Sequence, residues 1–420
     1  MAGTALDMTG PRPGAGIPVY AVYGTPDPAA ATMAELLTRG VHLRQLGPDH
    51  LIPLDTGLPD LAQPILDMLG RHNGRPLAGA VGFDDWWTTA LALLNPGFPL
   101  EPARRLVTDK AALYTALTTN GVPAPPHITG ILDADLLVTA LDQFGPAPIL
   151  KPATGAGSRG VYRYRPHLTI AENLAIYQRL RELGHIDTSV ATIACPYLGG
   201  PDALEISVDA IVCAGTIVHT VVHEKCTATR VEPFVDQVMR TPPVQPQIAA
   251  ALPPIPAIIA GIAATLHLRD GALHAELRLH HKTWYVLDVG VRPGAGLVAH
   301  AVQAVTGTDP RAAHLAASIG QPLTAAVMRA RTGTHPAAAI ACCYLSNDRR
   351  DAVDLASQAG LARRLRQHPD VLGWHLNAAD LHDQIYRPDA GLSIGVGAAT
   401  ATDAHTRLQS IVAPYGYTTS

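Results

Sequence analysis

Apolar and polar residues alternate along 273–290 on either side of His280-His281-Lys282-Thr283, the signature of a β-hairpin. Leu273, Ala275, Leu277, Leu279, Tyr285, Leu287 and Val289 share one parity and predict an apolar face. His274, Glu276, Arg278, Asp288 and Arg292 share the other. With the turn centred on Lys282, Glu276 and Asp288 stand opposite each other, where paired Cβ atoms lie about 5 Å apart. Carboxylates that close repel unless a cation lies between them. Magnesium, which takes carboxylate oxygens together with substrate phosphates, suits the pair. The competing reading is a wet strand face balanced by Arg278 and Lys282.

The rest of the pattern alternates strand and helix. Ile17 to Tyr23 predicts a strand, 28–39 a helix stopped by Gly40, Leu77 to Gly82 a strand, and 84–94 a helix capped by Asp84 or Asp85. These make a small three-layer α/β unit over 17–107. Thr108 then caps a helix ending at Asn120-Gly121, and Val122-Pro123-Ala124-Pro125-Pro126 reads as a linker. Ile149 to Tyr164 predicts a hairpin around a glycine loop, Thr169 to Leu183 a helix, and Ile206 to Val222 two strands joined at Ala214-Gly215. From Ala337 onward short α/β segments return and close on a strand, Gly391 to Val396. Ile248 to Leu266 carries no charge, but Pro253, Pro254 and Pro256 fit the start of a buried helix over 256–267 better than a membrane span. The expected units are a disordered tail (1–16), an N-terminal domain (17–107), two lobes (108–196 and 197–333) and a small C-terminal subdomain (334–420).

Composition narrows the class. The 420 residues, 47% of them hydrophobic, suffice for roughly two to four structural units. A net charge of -4 with 16% charged residues offers no long-range attraction, so neither nucleic acid nor a membrane is an expected partner. Arg104-Arg105 and Arg363-Arg364 read as solvated helix faces. The five cysteines (Cys195, Cys213, Cys226, Cys342, Cys343) are odd in number and lack CxxC spacing, which argues against disulfides or structural zinc and for a reducing, cytoplasmic setting. Met1 to Gly16 has no basic start or apolar stretch and does not read as a signal peptide.

Gly155-Ala156-Gly157-Ser158-Arg159-Gly160 fits GxGxxG. A dinucleotide fold would need a helix after it, yet 161–166 alternates like a strand. A strand-loop-strand glycine flap can instead fold over phosphates and offer its N–H groups. Lys151, in Leu150-Lys151-Pro152, stands on the incoming strand with its ammonium in reach; a plain glycine-rich turn is the competing reading. Asp109-Lys110 supplies a second lysine, and Arg292-Pro293-Gly294-Ala295-Gly296 places an arginine beside the carboxylates. Lysines, flap amides, paired carboxylates and an arginine together make a phosphoryl-transfer set and point to ATP. His219 and His223 have helical i, i+4 spacing, but in a strand they stand about 13 Å apart, so they do not make a zinc pair. Neither GxSxG, HExxH nor GxxxxGK[ST] occurs.

In this order the residues resemble the ATP-grasp superfamily, and within it the carboxylate–amine ligases such as the L-amino acid ligases. The resemblance implies an α/β chain in which two α+β lobes grip ATP, behind an N-terminal three-layer α/β domain and ahead of a small C-terminal α/β subdomain. It makes Lys110 and Lys151 the ATP lysines, with Gly155, Gly157, Ser158 and Gly160 as the flap. Cys195-Pro196-Tyr197-Leu198-Gly199-Gly200 resembles the hinge between lobes, where the backbone of Cys195, Tyr197 and Leu198 would meet adenine, and Glu205 would lie near the ribose. Glu224-Lys225-Cys226 to Pro233-Phe234-Val235 resembles the loop over the acceptor site, and Lys225 and Arg292 become the catalytic residues. Glu276 and Asp288 would hold Mg²⁺, while Arg292, Gly294 and Gly296 would hold the substrate.

The implied reaction is ADP-forming amide synthesis through an acyl phosphate, giving a dipeptide-like or γ-glutamyl-type product in natural-product biosynthesis. ATP and Mg²⁺ are the expected cofactors, amino acids the expected substrates, and a homodimer the expected assembly. Two residues depart from the family pattern: Cys195-Pro196 replaces an acidic hinge, and Gly290 stands where a second-metal asparagine is common. Two rivals stay open. One is a biotin-dependent type of carboxylase, although no methionine-lysine-methionine attachment sequence occurs; the other is a non-catalytic nucleotide-binding module.

Overall fold

The computed structural model describes the strands at 20–23, 42–45 and 77–81 and residues 100–155, 158, 160–183, 186, 188–200, 203–226, 234, 238–295, 297–318, 323, 338–345, 355–376 and 392–415. The expected tail over 1–16 and the helices expected at 28–39 and 84–94 lie outside these residues. Strands β1 (Tyr20–Tyr23), β2 (His42–Gln45) and β3 (Leu77–Val81) pair antiparallel in the order β2-β1-β3. Of these, β2 is additional to the sequence expectation.

Helix α1 (Glu101–Thr108) leads into α2 (Lys110–Thr119). The expected cap, Thr108, instead ends α1. Asp109 caps α2 from an extended backbone, its carboxylate accepting the N–H groups of Ala111 and Ala112 at 2.9 and 3.1 Å. A second correction concerns Arg104, which is 1% exposed rather than solvated and donates to Ser318 Oγ at 3.1 Å. Burial lowers its guanidinium to about 10. Arg105, Arg363 and Arg364 are exposed as expected.

The first lobe runs through β4 (Ile128–Gly130), α3 (Ala134–Phe144), β5 (Ile149–Pro152), β6 (Tyr162–Arg163), α4 (Ile170–Leu183) and β7 (Thr192–Cys195). Its sheet has the order β4-β7-β5-β6 and packs Leu150, Tyr162 and Ala194 on Leu137, Ala140 and Tyr177 of the helices. The glycine loop leads into a strand, β6, as the alternation of 161–166 predicts.

The second lobe begins with β8 (Leu204–Cys213), β9 (Thr216–Lys225), β10 (Val238–Thr241), α5 (Pro246–Ala251) and α6 (Ile255–Thr265). It continues with β11 (Gly271–His280), β12 (Thr283–Gly290), α7 (Val298–Thr306) and α8 (Pro310–Ser318). Then come β13 (Ala338–Leu345), α9 (Leu355–Gln367), β14 (Val371–Leu376), β15 (Leu392–Ala398) and α10 (Ala401–Val412). Among the described residues these strands form one antiparallel sheet, β12-β11-β8-β9-β10-β13-β15-β14. The chain does not close on a strand as expected, because α10 follows β15. The charge-free run holds α5 and the proline-led α6, and among the described residues no helix is long and apolar enough to cross a membrane.

One face of this sheet is apolar. Ile206 and Val208 of β8, with Ala275 and Leu277 of β11, pack on Leu113 and Leu117 of α2 and on Ile255, Ile259 and Ile262 of α6. Helix α2 falls within the lobe expected over 108–196, yet its apolar side belongs to the core of the large sheet. Each fully buried Leu or Ile contributes roughly 1.5–3 kcal/mol, so this packing fixes α2 against the large sheet.

The hairpin expected over 273–290 is present, spanning Gly271 to Gly290, with a different turn and a parity change. His281 and Lys282 both have positive φ (47° and 67°) and form a two-residue turn that pairs His280 with Thr283. Leu277 pairs with Val286, but the next pair is Glu276 with Asp288, so Leu287 is an extra residue with no partner opposite it. The bulge corrects the expected face. Trp284, Val286 and Val289 are the buried apolar residues of β12, while Tyr285 and Leu287 are only half-buried.

Candidate active site

Successive turns of α2 address successive residues of β12. Lys110 Nζ donates to Asp288 Oδ1 at 2.8 Å. One turn on, the fully buried Tyr114 donates its hydroxyl to the carbonyl of Leu287 and accepts from Lys151 Nζ of β5. Burial pushes the Tyr114 phenol well above its usual pKa, helped by Cys195 and Asp288. Of the two lysines expected to hold phosphate, Lys110 thus reaches Asp288 directly, and Lys151, from the small sheet, is linked through Tyr114 to the neighbouring Leu287.

The polar face of the large sheet holds a connected set of charges. Directly opposed across β8 and β11 are Glu205 with Arg278, Ser207 with Glu276, and Asp209 with His274. Lys225 Nζ, at the end of β9, lies 3.1 Å from both Glu205 Oε1 and Glu276 Oε2. Arg278 donates to Glu205 Oε2 through Nε at 2.9 Å and also through Nη2. Asp209 takes His274 Nδ1 at 2.9 Å, lies 3.2 Å from His223 Nε2, and accepts the N–H of Gly294 at 2.6 Å.

Burial alone would raise Asp209, but His274 and His223 hold it far below the ordinary carboxylate range. Burial alone would lower His274, but Asp209 outweighs it and lifts the imidazole to about 9. Glu276 is likewise held well below its usual value against burial, chiefly by Lys225 and then by His274.

Arg292 follows β12 and is 5% exposed, with Nη1 donating to the Pro293 carbonyl at 2.8 Å. Its side chain lies over Gly290: a Cβ there would come within 3.1 Å of Arg292 Cγ, 3.2 Å of Nε and 3.3 Å of Cζ. Gly290 thus makes room for the guanidinium. Gly294 is tighter still, since a Cβ would fall 2.6 Å from Val298 Cγ1 and 2.9 Å from Asp209 Oδ2.

At the flap, Gly155 and Gly160 adopt φ of 153° and 68°, which glycine reaches without strain. Ser158 also has positive φ and donates to the carbonyl of Phe234 at 2.8 Å. In the segment expected to be the hinge, Cys195 is buried at the end of β7, Leu198 is buried, and the Arg163 guanidinium lies 3.9 Å from the centre of the Tyr197 ring. Burial raises the Cys195 thiol.

The structure brings Lys110, Lys151, Lys225, Glu205, Glu276, Asp288, Arg292 and Gly294 into a contiguous region. Gly157 and Gly296 lie outside the described residues. Both carboxylate oxygens of Glu205 accept from Lys225 and Arg278, so its visible partners are charges within the sheet. Sequence reading missed Tyr114, which sits inside an unremarkable helix, and the part of Asp209. The parity of Asp209 with Glu205 on β8 was the available signal for the latter.

The residues fit a magnesium–nucleotide pair. Glu276 and Asp288 are opposed carboxylates, hard oxygen donors whose side chains remain 28% and 29% exposed. Among the described residues no three His, Cys, Asp or Glu side chains cluster as a complete metal cage. Magnesium characteristically binds one or two carboxylates and completes its shell with phosphates and water.

The α/β chain, with its two antiparallel sheets, has the ATP-grasp fold, which it shares with the solved structures it resembles. No family model and no curated protein sequence matches the chain. Solved structures do. The L-amino acid ligase from Bacillus licheniformis is 16% identical with a TM-score of 0.59, over 86% of this chain and 84% of its own. Carboxyaminoimidazole ribonucleotide synthase from Aspergillus clavatus, solved with ATP, is 16% identical with a TM-score of 0.57, over 79% of each chain. Phosphoribosylglycinamide synthetase from Anaerococcus prevotii is 15% identical with a TM-score of 0.54, over 88% of this chain and 87% of its own.

Proposed function

We propose that the chain is an ATP-dependent, ADP-forming carboxylate–amine ligase acting on small molecules, with amino acids as the substrate class. The observation that carries this reading is the convergence of Lys110 and Lys151 near Glu276 and Asp288, which stand opposed on neighbouring strands. A substrate carboxylate oxygen attacks the γ-phosphorus of ATP, and the bond to the bridging oxygen breaks to release ADP. An amine then attacks the acyl carbon, phosphate leaves, and the amine proton passes to water or buffer.

Lys110 and Lys151 offset charge on the phosphoryl oxygens, and the flap N–H groups add donors. Magnesium on Glu276 and Asp288 would neutralise charge on the same oxygens. Arg292, held flat over Gly290, presents a guanidinium to the substrate carboxylate or acyl phosphate. Lys225 holds Glu276 against Glu205, and closure of the flap keeps water from the activated acyl group. An amide product from two amino acids, and a natural-product pathway, are the finer parts of the proposal, favoured by the likeness to the L-amino acid ligase. A cytoplasmic homodimer accords with the cysteine usage and with the ligase class.

The test is mass spectrometry of the protein with ATP, Mg²⁺ and pooled amino acids. A product equal to two components minus water, with ADP as co-product, establishes the ligase. AMP in place of ADP would rule out the acyl-phosphate route.

A further inference from the structure

We infer that Tyr114 is a positioning residue that fixes the Lys151 ammonium through a hydrogen bond anchored on the bulge carbonyl of Leu287. The inference rests on the ATP-binding reading above and extends it to a residue outside that set. Lys151 belongs to the small sheet and Leu287 to the edge strand of the large one, so the phenol oxygen joins the two lobes.

Three observations favour positioning over simple packing. First, Leu287 is the unpaired residue of the bulge, and its carbonyl accepts from the Tyr114 hydroxyl. Second, the hydroxyl is fully buried, where a polar group requires partners, and it has one on each side: a carbonyl to accept its proton and an ammonium to donate to its oxygen. Third, the Lys151 ammonium also lies 4.8 Å from the Tyr114 ring centre, while Lys110, one turn earlier on α2, reaches Asp288 next to Leu287. The same helix face therefore sets a lysine on the carboxylate and orients a second lysine from the other lobe.

A long amine side chain has many rotamers, and holding it in one before nucleotide arrives removes an ordering cost from binding. Phenylalanine keeps the ring and its packing but removes the oxygen, so Lys151 loses its acceptor and Leu287 its donor.

Two measurements on Tyr114→Phe test this. The first is the rate at which an amine-selective acylating reagent modifies Lys151, read by peptide mass spectrometry. Lys151 is 8% exposed in the native chain, and we expect several-fold faster modification in the variant, with other lysines unchanged. The second is the MgATP dissociation constant by calorimetry for the native chain, Tyr114→Phe, Lys151→Met and the double variant. Positioning predicts roughly 5- to 10-fold weaker binding in Tyr114→Phe and no further loss when it is added to Lys151→Met. Equal loss in both backgrounds, or unchanged Lys151 reactivity, overturns the assignment. A native chain that binds no MgATP strikes the ligase reading instead, and the labelling result still decides Tyr114.

Discussion

Glu276 and Asp288 face each other one step beyond a β-bulge, with Leu287 left unpaired between the regular part of the hairpin and this pair. Lys225 and Lys110 each hold one of the two carboxylates from outside. Lys225 most of all, and then His274, holds the Glu276 carboxyl well below its usual range against burial.

Removing a member of this set should stop chemistry and spare the fold. Lys151→Ala, Glu276→Ala and Arg292→Ala are each expected to lower ADP formation by about 100-fold or more, with circular dichroism unchanged. Turnover surviving the first two changes would remove the basis for the ligase assignment.

Gly290 offers a finer probe. A β-carbon there meets Arg292 at 3.1–3.3 Å along its side chain, so Gly290→Ala should displace the guanidinium. We expect a fall of about tenfold or more in kcat/KM for the acid substrate, with MgATP affinity nearly unchanged. Steady-state kinetics with each substrate varied in turn separates the two.

Asp209 stabilises His274, His223 and the Gly294 loop together. Asp209→Asn leaves the buried His274 without the carboxylate that faces it, and breaking such a pair costs about 3–5 kcal/mol. Thermal denaturation should show a clear drop in Tm, larger than for Glu172→Gln on the exposed start of α4.

Acid sensitivity follows from His300 on α7. Its folded pKa is lowered to about 3 by burial and then by Arg311, with Asp309 acting weakly in the opposite sense. The unfolded chain therefore binds the proton first. This contribution is fully present above the unfolded value of about 6.5 and is lost as pH falls toward 3, by roughly 2 kcal/mol over the first two units. His300→Gln keeps an acceptor for Arg311 and removes the titration, so its Tm should decline less between pH 7 and 4.5 than that of the native chain.

Order and period made much of this legible. The alternation around 280–283, the strand after the glycine loop and the proline-led helix after 248 all describe the fold as found. Simple alternation sets Glu276 against Asp288 correctly only because the shorter turn and the bulge at Leu287 offset each other. Bulges leave little trace in composition, so simple alternation puts Tyr285 and Leu287 on the wrong face. Arg104 and Tyr114 were opaque for another reason: their partners lie 214 and 173 residues away, and nothing local marks such a helix position as buried and bonded.

The extra residue in β12 also decides which changes of chain length this strand can absorb. Without Leu287, Asp288 would follow Val286 directly, and an unbroken ladder would still set it against Glu276. The carboxylate pair is therefore indifferent to that deletion. What the deletion takes away is the carbonyl to which α2 and the small sheet are moored. A shortened strand would keep its acids and lose its mooring, so insertions and deletions at this one position act on how the halves hold each other and not on what they hold.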